Sequence, residues 1–157
     1  MQLHIPDPLI RSILAHETLA PEQIRSIART AYLAAEIDFE DGAAEEATLG
    51  EAASRLWQVA GLPAEPIAPV SPLPLDDEER RARIRELAAG LTSRGSREVA
   101  YAVAYLLAAA DVELAPAEAR FLADLQRTLA IDDERAAALV AMAARAVTPG
   151  LDGDGES

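Results

Sequence analysis

Six acidic residues stand at matching positions of an internal repeat. Residues 31–56 align without a gap with residues 104–129, at an offset of 73 positions. Three acids keep this register in both copies, and we take them as candidate metal ligands: Asp38, Glu40 and Glu45 in the first copy, and Asp111, Glu113 and Glu118 in the second. Carboxylate oxygens are the ligands that Ca²⁺ and Mg²⁺ prefer, and a bound cation would cancel the repulsion between neighbouring carboxylates. The spacing therefore predicts a divalent-cation site, for Ca²⁺ or Mg²⁺, in each copy.

The first copy is the more acidic of the two. Residues 36–46 contain six carboxylates and no basic residue, whereas the second copy has Pro116 and Arg120 close to its acids. If only one copy binds a cation well, we expect it to be the first.

A structural role for the same acids remains an alternative. An Asp in a turn accepts hydrogen bonds from nearby backbone N–H groups, and a Glu in a first helical turn complements the positive end of the helix dipole. An EF-hand is excluded by register, since counting from Asp38 places Ala43 where the loop needs Gly and Leu49 where it needs Glu.

The elements that must position these acids are helices. Apolar residues recur at helical spacing along most of the chain, and only 4% of the residues are aromatic, so we predict an all-α fold of about seven helices. Pro21 and Pro116 suit helix starts, Ser96 and Asp132 suit N-caps, and Gly61 suits a helix end. The helix that follows Ser96 is the most apolar and should lie near the centre.

Two related helical halves are predicted, at residues 1–60 and 76–147, joined by a proline-rich connector at residues 61–75 that contains five prolines. Together they would form a single domain at residues 1–147, and residues 148–157 would form a disordered tail. The alternative is that any two Ala- and Leu-rich helical hairpins resemble each other in this way.

Composition excludes several classes of function. With 157 residues the chain suffices for one domain with its own core, and the absence of cysteine excludes disulfides and thiolate metal sites. A formal charge of -13 argues against a nucleic-acid partner, because phosphate binding depends on Lys and Arg. We expect no membrane span and no signal peptide, and therefore a cytoplasmic protein.

The two copies read AAEIDFEDGAAEE and AAADVELAPAEARFL, each with a helix that ends near Asp, an acidic turn, and Glu seven residues after that Asp. This pattern resembles the tellurite-resistance TerB-like family, over roughly residues 24–56 and 99–140. The resemblance implies an all-helical fold of two related halves, a cytoplasmic stress-response module that is not a known enzyme, and divalent cations bound by acids near the ends of the repeated helices.

We therefore predict a non-enzymatic module that binds a divalent cation through its acidic loops and presents a surface to a protein partner. The sequence contains no Ser/His/Asp set, phosphate-binding Gly-rich loop or HExxH motif. The alternative is a metal-independent interaction scaffold, whose partner docks on the connector or on the basic helix around residues 80–85. We expect those arginines to form mostly a solvated helix face. The sequence leaves the oligomeric state open.

Overall fold

The computed structural model describes residues 7–14, 18–38, 54, 56–63, 77–108 and 116–146. Within these ranges, side chains are described except at 7, 8, 32–38, 77, 107, 108, 117, 118 and 146. Most of the described residues are helical and none of them lies in a strand, which confirms the all-α prediction. No helix in the described ranges is long and apolar enough to cross a bilayer.

Seven helical segments are described. They are α1 (Asp7–Leu14), α2 (Pro21–Asp38), α3 (residues 56–60), α4 (Asp77–Ala88), α5 (Arg94–Ala108), α6 (Pro116–Thr128) and α7 (Asp133–Ala146).

Local sequence signals account for most of the helix ends. Pro21 and Pro116 are the first residues of α2 and α6, as predicted. Asp132 caps α7, because its Oδ1 accepts a hydrogen bond from the backbone N–H of Arg135 at 2.7 Å. Gly61 ends α3 with a φ of 73°, a left-handed conformation that glycine adopts without a steric cost.

The predicted cap of α5 was wrong by three residues. Helix α5 begins at Arg94, and Ser93 is its cap: Ser93 Oγ accepts from the backbone N–H of Ser96 at 3.2 Å, while Ser96 Oγ accepts from the backbone N–H of Ser93 at 3.2 Å. This is the reciprocal arrangement of a capping box, with Ser in place of the usual Glu. Ser96 therefore belongs to the first turn of α5.

Helix α5 lies at the centre of the molecule, as its composition predicted. Val99, Ala100, Ala102, Val103 and Ala104 are each at most 1% exposed. Its most extensive contact is with α2, and it also contacts α1, α6 and α7, while α4 and α6 pack on α2. The small Ala side chains of α5 fit a helix with neighbours on several sides, because they let helix axes approach closely.

The turn that follows α4 packs closely against α2 at Gly90. A Cβ on Gly90 would overlap Ser26 Oγ and lie 3.1 Å from Ser26 Cβ. Beside it, Ile24, Ile27, Ile84 and the other large apolar side chains form one continuous core that also includes Trp57 and Phe121. Residues of both α2 and α5 belong to this core.

Candidate functional site

The N-terminal ends of α2 and α5 meet through Gln23. Its Oε1 accepts from the backbone N–H of Ala20 at 2.8 Å, and its Nε2 donates to Thr92 Oγ1 at 2.9 Å and to Ser93 Oγ at 3.3 Å. The Gln23 side chain is buried, while its partners Ala20, Thr92 and Ser93 are exposed or half-buried, so these bonds are only partly shielded from water. The start of α2 is therefore fixed to the residues that immediately precede α5.

This junction sets the direction of the two central helices. Helices that begin side by side and share the most extensive interhelical contact of the fold must run in the same general direction. Asp38, the last residue of α2, and Ala108, the last residue of α5, consequently lie toward the same end of the molecule.

The predicted metal ligands fall outside what the structure describes in full. Asp38 is placed as the last residue of α2 and Glu118 as the third residue of α6, but their side chains are outside the described part. The other four candidates, Glu40, Glu45, Asp111 and Glu113, lie wholly outside the described residues. Among the side chains that are described, no group of three or more His, Asp or Glu would hold a metal ion.

A buried carboxylate with two arginine partners lies at the start of α5. Glu98 is 3% exposed, and it accepts from Arg135 through both oxygens: Nη2 donates to Oε1 at 2.8 Å and Nε to Oε2 at 3.0 Å. Arg94 adds a bond from Nε to Oε2 at 3.0 Å. The bidentate pair joins α5 to α7 with the geometry that a planar guanidinium favours.

These arginines keep Glu98 ionised. Burial alone would raise the pKa of Glu98, but the hydrogen bonds and positive charges of Arg135 and Arg94 outweigh it and hold the pKa below its ordinary value. The same bonds to Glu98 raise the pKa of Arg135. Glu98, Arg94 and Arg135 therefore form a cluster of charged groups, and Glu98 is not a neutral acid that could donate a proton.

A second buried carboxylate joins α4 to α6. Asp124 Oδ2 accepts from Arg80 Nη2 at 2.8 Å and from Arg80 Nε at 3.0 Å, and Asp124 Oδ1 lies 3.2 Å from Arg127 Nη1. The expectation of a solvated basic face on α4 was wrong for Arg80, whose side chain is only 11% exposed. The same expectation is met by Arg85, whose side chain is exposed. Arg80 is thus engaged within the fold rather than offered to a partner.

Two cavities flank the turn between α6 and α7. One, of about 480 Å³, lies beside Gln126 and Arg127, and the other, of about 270 Å³, is lined by Arg94, Arg97 and Arg135. Ala130, Ile131 and Asp132 border both of them. The smaller cavity therefore collects three guanidinium groups that are separated by up to 41 positions in the sequence (135 − 94).

Sequence reasoning did not find this arginine group. Arg94 and Glu98 stand four residues apart on a helix, which is a recognisable pairing signal. No local signal brings in Arg135, because it reaches Glu98 only after α7 has packed on α5.

Comparison with known proteins gave no match to a family model, to a curated protein or to a solved structure.

Proposed function

We propose that this chain is a non-enzymatic TerB-like module whose acidic loops bind a divalent cation, Ca²⁺ or Mg²⁺, and so order a surface for a protein partner. Its ligands would be Asp38 at the end of α2 with Glu40 and Glu45 beyond it, and Asp111 and Glu113 before α6 with Glu118 in its first turn. The setting would be cytoplasmic, in a stress response such as tellurite resistance.

The observation that carries the proposal is the common direction of α2 and α5. Because Gln23 ties their starts together, the last residues of both helices lie toward the same end of the pair, and we expect the acids that follow them to lie there too. The C-terminal ends of two helices also carry partial negative charge, which adds to the carboxylates. A bound cation would offset both sources of negative potential at this end.

A duplication of two related halves, joined by the proline-rich connector, is part of the proposal. Helices α2 and α5 begin at residues 21 and 94, which differ by 73, the offset of the sequence repeat. The cap contacts fall at the same offset, since Ala20 N bonds the Gln23 side chain and Ser93 N bonds the Ser96 side chain. In addition, α1 contacts α5 while α4 contacts α2. These reciprocal contacts support two copies of one unit.

Calorimetric titration with Ca²⁺ and with Mg²⁺ tests the cation site. We expect the full chain to bind at least one of the ions at millimolar concentration or below and to melt at a higher temperature with the ion present, because a ligand that binds only the folded state stabilises it. The variant Asp38→Asn/Glu45→Gln should lose most of the heat and of the melting shift.

A matched control separates ligation from a general charge effect. Glu86→Gln/Glu134→Gln removes two exposed carboxylates from α4 and α7, away from the loops, and should bind the ions as the parent does. The cation proposal is refuted if the parent shows no heat and no melting shift at millimolar Ca²⁺ or Mg²⁺, or if both double variants lose them equally.

The protein-partner part of the proposal has its own test. In a pull-down with the full chain as bait, binding of the protein partner should depend on the cation and should disappear when a chelator is added. Capture that survives the chelator but is lost on deletion of residues 63–75 would contradict this mechanism and favour the metal-independent scaffold instead.

A further inference from the structure

The smaller cavity beside the α6–α7 turn is lined by side chains from three helices. Arg94, Arg97 and Glu98 come from the first turns of α5, Arg135 from the first turn of α7, and Leu129 to Asp132 from the end of α6 and the turn. Three arginines and two acidic residues line it, so the formal charge of its lining is positive. This is a local reversal of sign in a chain whose formal charge is -13.

Both carboxylates in the lining already have partners. Glu98 accepts through both of its oxygens from Arg94 and Arg135. Asp132 accepts from the backbone N–H of Arg135 as the cap of α7. The lining acids are therefore bound to donors within the protein, and they stabilise the arrangement of the arginines.

The arginines, in contrast, keep unused donors. Arg97 donates through Nε to the backbone carbonyl of Leu91 at 3.1 Å, and Arg94 donates through Nε to Glu98. The structure shows no further hydrogen-bond partner for the terminal nitrogens of either residue among the residues it describes. A guanidinium carries five N–H donors, so most of those on Arg94 and Arg97 remain available.

The backbone adds to the positive potential. The cavity borders the N-terminal turns of both α5 and α7, where helix dipoles place partial positive charge. At about 270 Å³ it is smaller than the usual drug-sized pocket, which starts near 300 Å³. The space suits a compact, multiply charged group with several acceptor oxygens.

We infer that this cavity binds a phosphate-type oxyanion, recognised by the terminal nitrogens of Arg94 and Arg97 with Arg135 held beside them by Glu98. Phosphate offers several acceptors to convergent guanidinium groups, a pairing for which arginine is well suited. This site lies at the opposite end of α5 from the proposed cation loops and does not depend on them.

The test is titration of the full chain with inorganic phosphate at constant ionic strength. Binding is measured as heat by calorimetry and as a change in the melting temperature. Low millimolar phosphate should give saturable heat and raise the melting temperature. Arg97→Gln should weaken binding at least about tenfold, because it removes charge-assisted hydrogen bonds. Arg145→Gln, an equal change of charge on the exposed last turn of α7, should bind phosphate like the parent.

Two further arms complete the experiment. Acetate at the same concentration distinguishes carboxylate from phosphate recognition, and we expect much weaker binding. Arg94→Gln provides a second variant if Arg97→Gln lowers the helical content measured by circular dichroism. The inference is overturned if the parent shows no saturable binding, if acetate binds as well as phosphate, or if a folded Arg97→Gln or Arg94→Gln variant binds phosphate as the parent does.

Discussion

Glu98 is the buried group that joins the start of α5 to the start of α7. It accepts hydrogen bonds from the Arg135 side chain through both of its oxygens, and Asp132 adds a weaker electrostatic attraction to the same guanidinium. Removing one member of such a cluster leaves the other charges without compensation in a partly buried place. Arg94 is largely exposed and can find water, so most of the loss would come from Arg135.

We therefore expect Glu98→Gln to lower the free energy of unfolding at pH 7 by about 1–3 kcal/mol, measured by urea denaturation. The folded-state pKa of Glu98 is depressed, so its contribution is complete above the unfolded pKa of about 4.3 and is lost as pH falls through the lower folded value. The difference between parent and variant should consequently shrink below about pH 4. A difference that stays constant from pH 7 to pH 3 would contradict this assignment.

The candidate residues differ in how well the sequence could predict them. The six acids were found because a repeat marks them, yet their side-chain positions depend on turns outside the described residues. Arg80 was expected to face solvent, because nothing in its local sequence points to Asp124, which lies 44 residues away. The close approach of Gly90 to Ser26 was likewise not predictable, because it depends on how α4 meets α2.

At the scale of elements, the turn between α6 and α7 contains the one non-glycine residue with a positive φ among the residues that the structure describes. Ala130 has a φ of 59°, the left-handed conformation that costs an L-residue with a Cβ roughly 1–2 kcal/mol. The turn nevertheless closes with Ala130 N bonded to Arg127 O at 3.1 Å and Ile131 N bonded to Gln126 O at 3.1 Å. This is the hydrogen-bond pattern of a Schellman motif, in which glycine is usual.

Replacement of Ala130 by glycine should therefore stabilise the protein. We expect Ala130→Gly to raise the free energy of unfolding by about 0.5–1 kcal/mol, since glycine removes the steric cost but loses more chain entropy. Ala123→Gly, the same substitution at an exposed position within α6, should instead lower it by about 1 kcal/mol. Thermal melting of both variants checks the pair, and a loss of stability in Ala130→Gly would contradict the account of this turn.

Helix starts and ends were largely predictable because their signals are local. Pro21, Pro116, Asp132 and Gly61 each act on their own turn, and each lies where the sequence placed it. The end of α6 was not predictable in this way, because alanine gives no sign of a left-handed residue.

At the scale of the whole molecule, the two proposed sites lie at opposite ends of α5. The arginine cavity borders its first turn, and the second acidic segment follows its last residue, about 22 Å away for 15 residues at 1.5 Å each. The arginine cavity and the last residue of α5 thus lie at opposite ends of that helix. The all-α fold and its central helix followed from apolar periodicity, whereas this arrangement of charge follows only from helix packing.

The central claim is that α2 and α5 deliver their acidic segments to one end, where a cation binds. The most direct measurement is the broadening of backbone amide NMR signals by substoichiometric Mn²⁺, used as a paramagnetic substitute for Mg²⁺. Signals from the last turns of both α2 and α5 should broaden strongly, while Gln23 and Ser96, near the other end of helices about 22–27 Å long, should be spared. Broadening confined to one helix, spread evenly over both ends, or absent would contradict the claim.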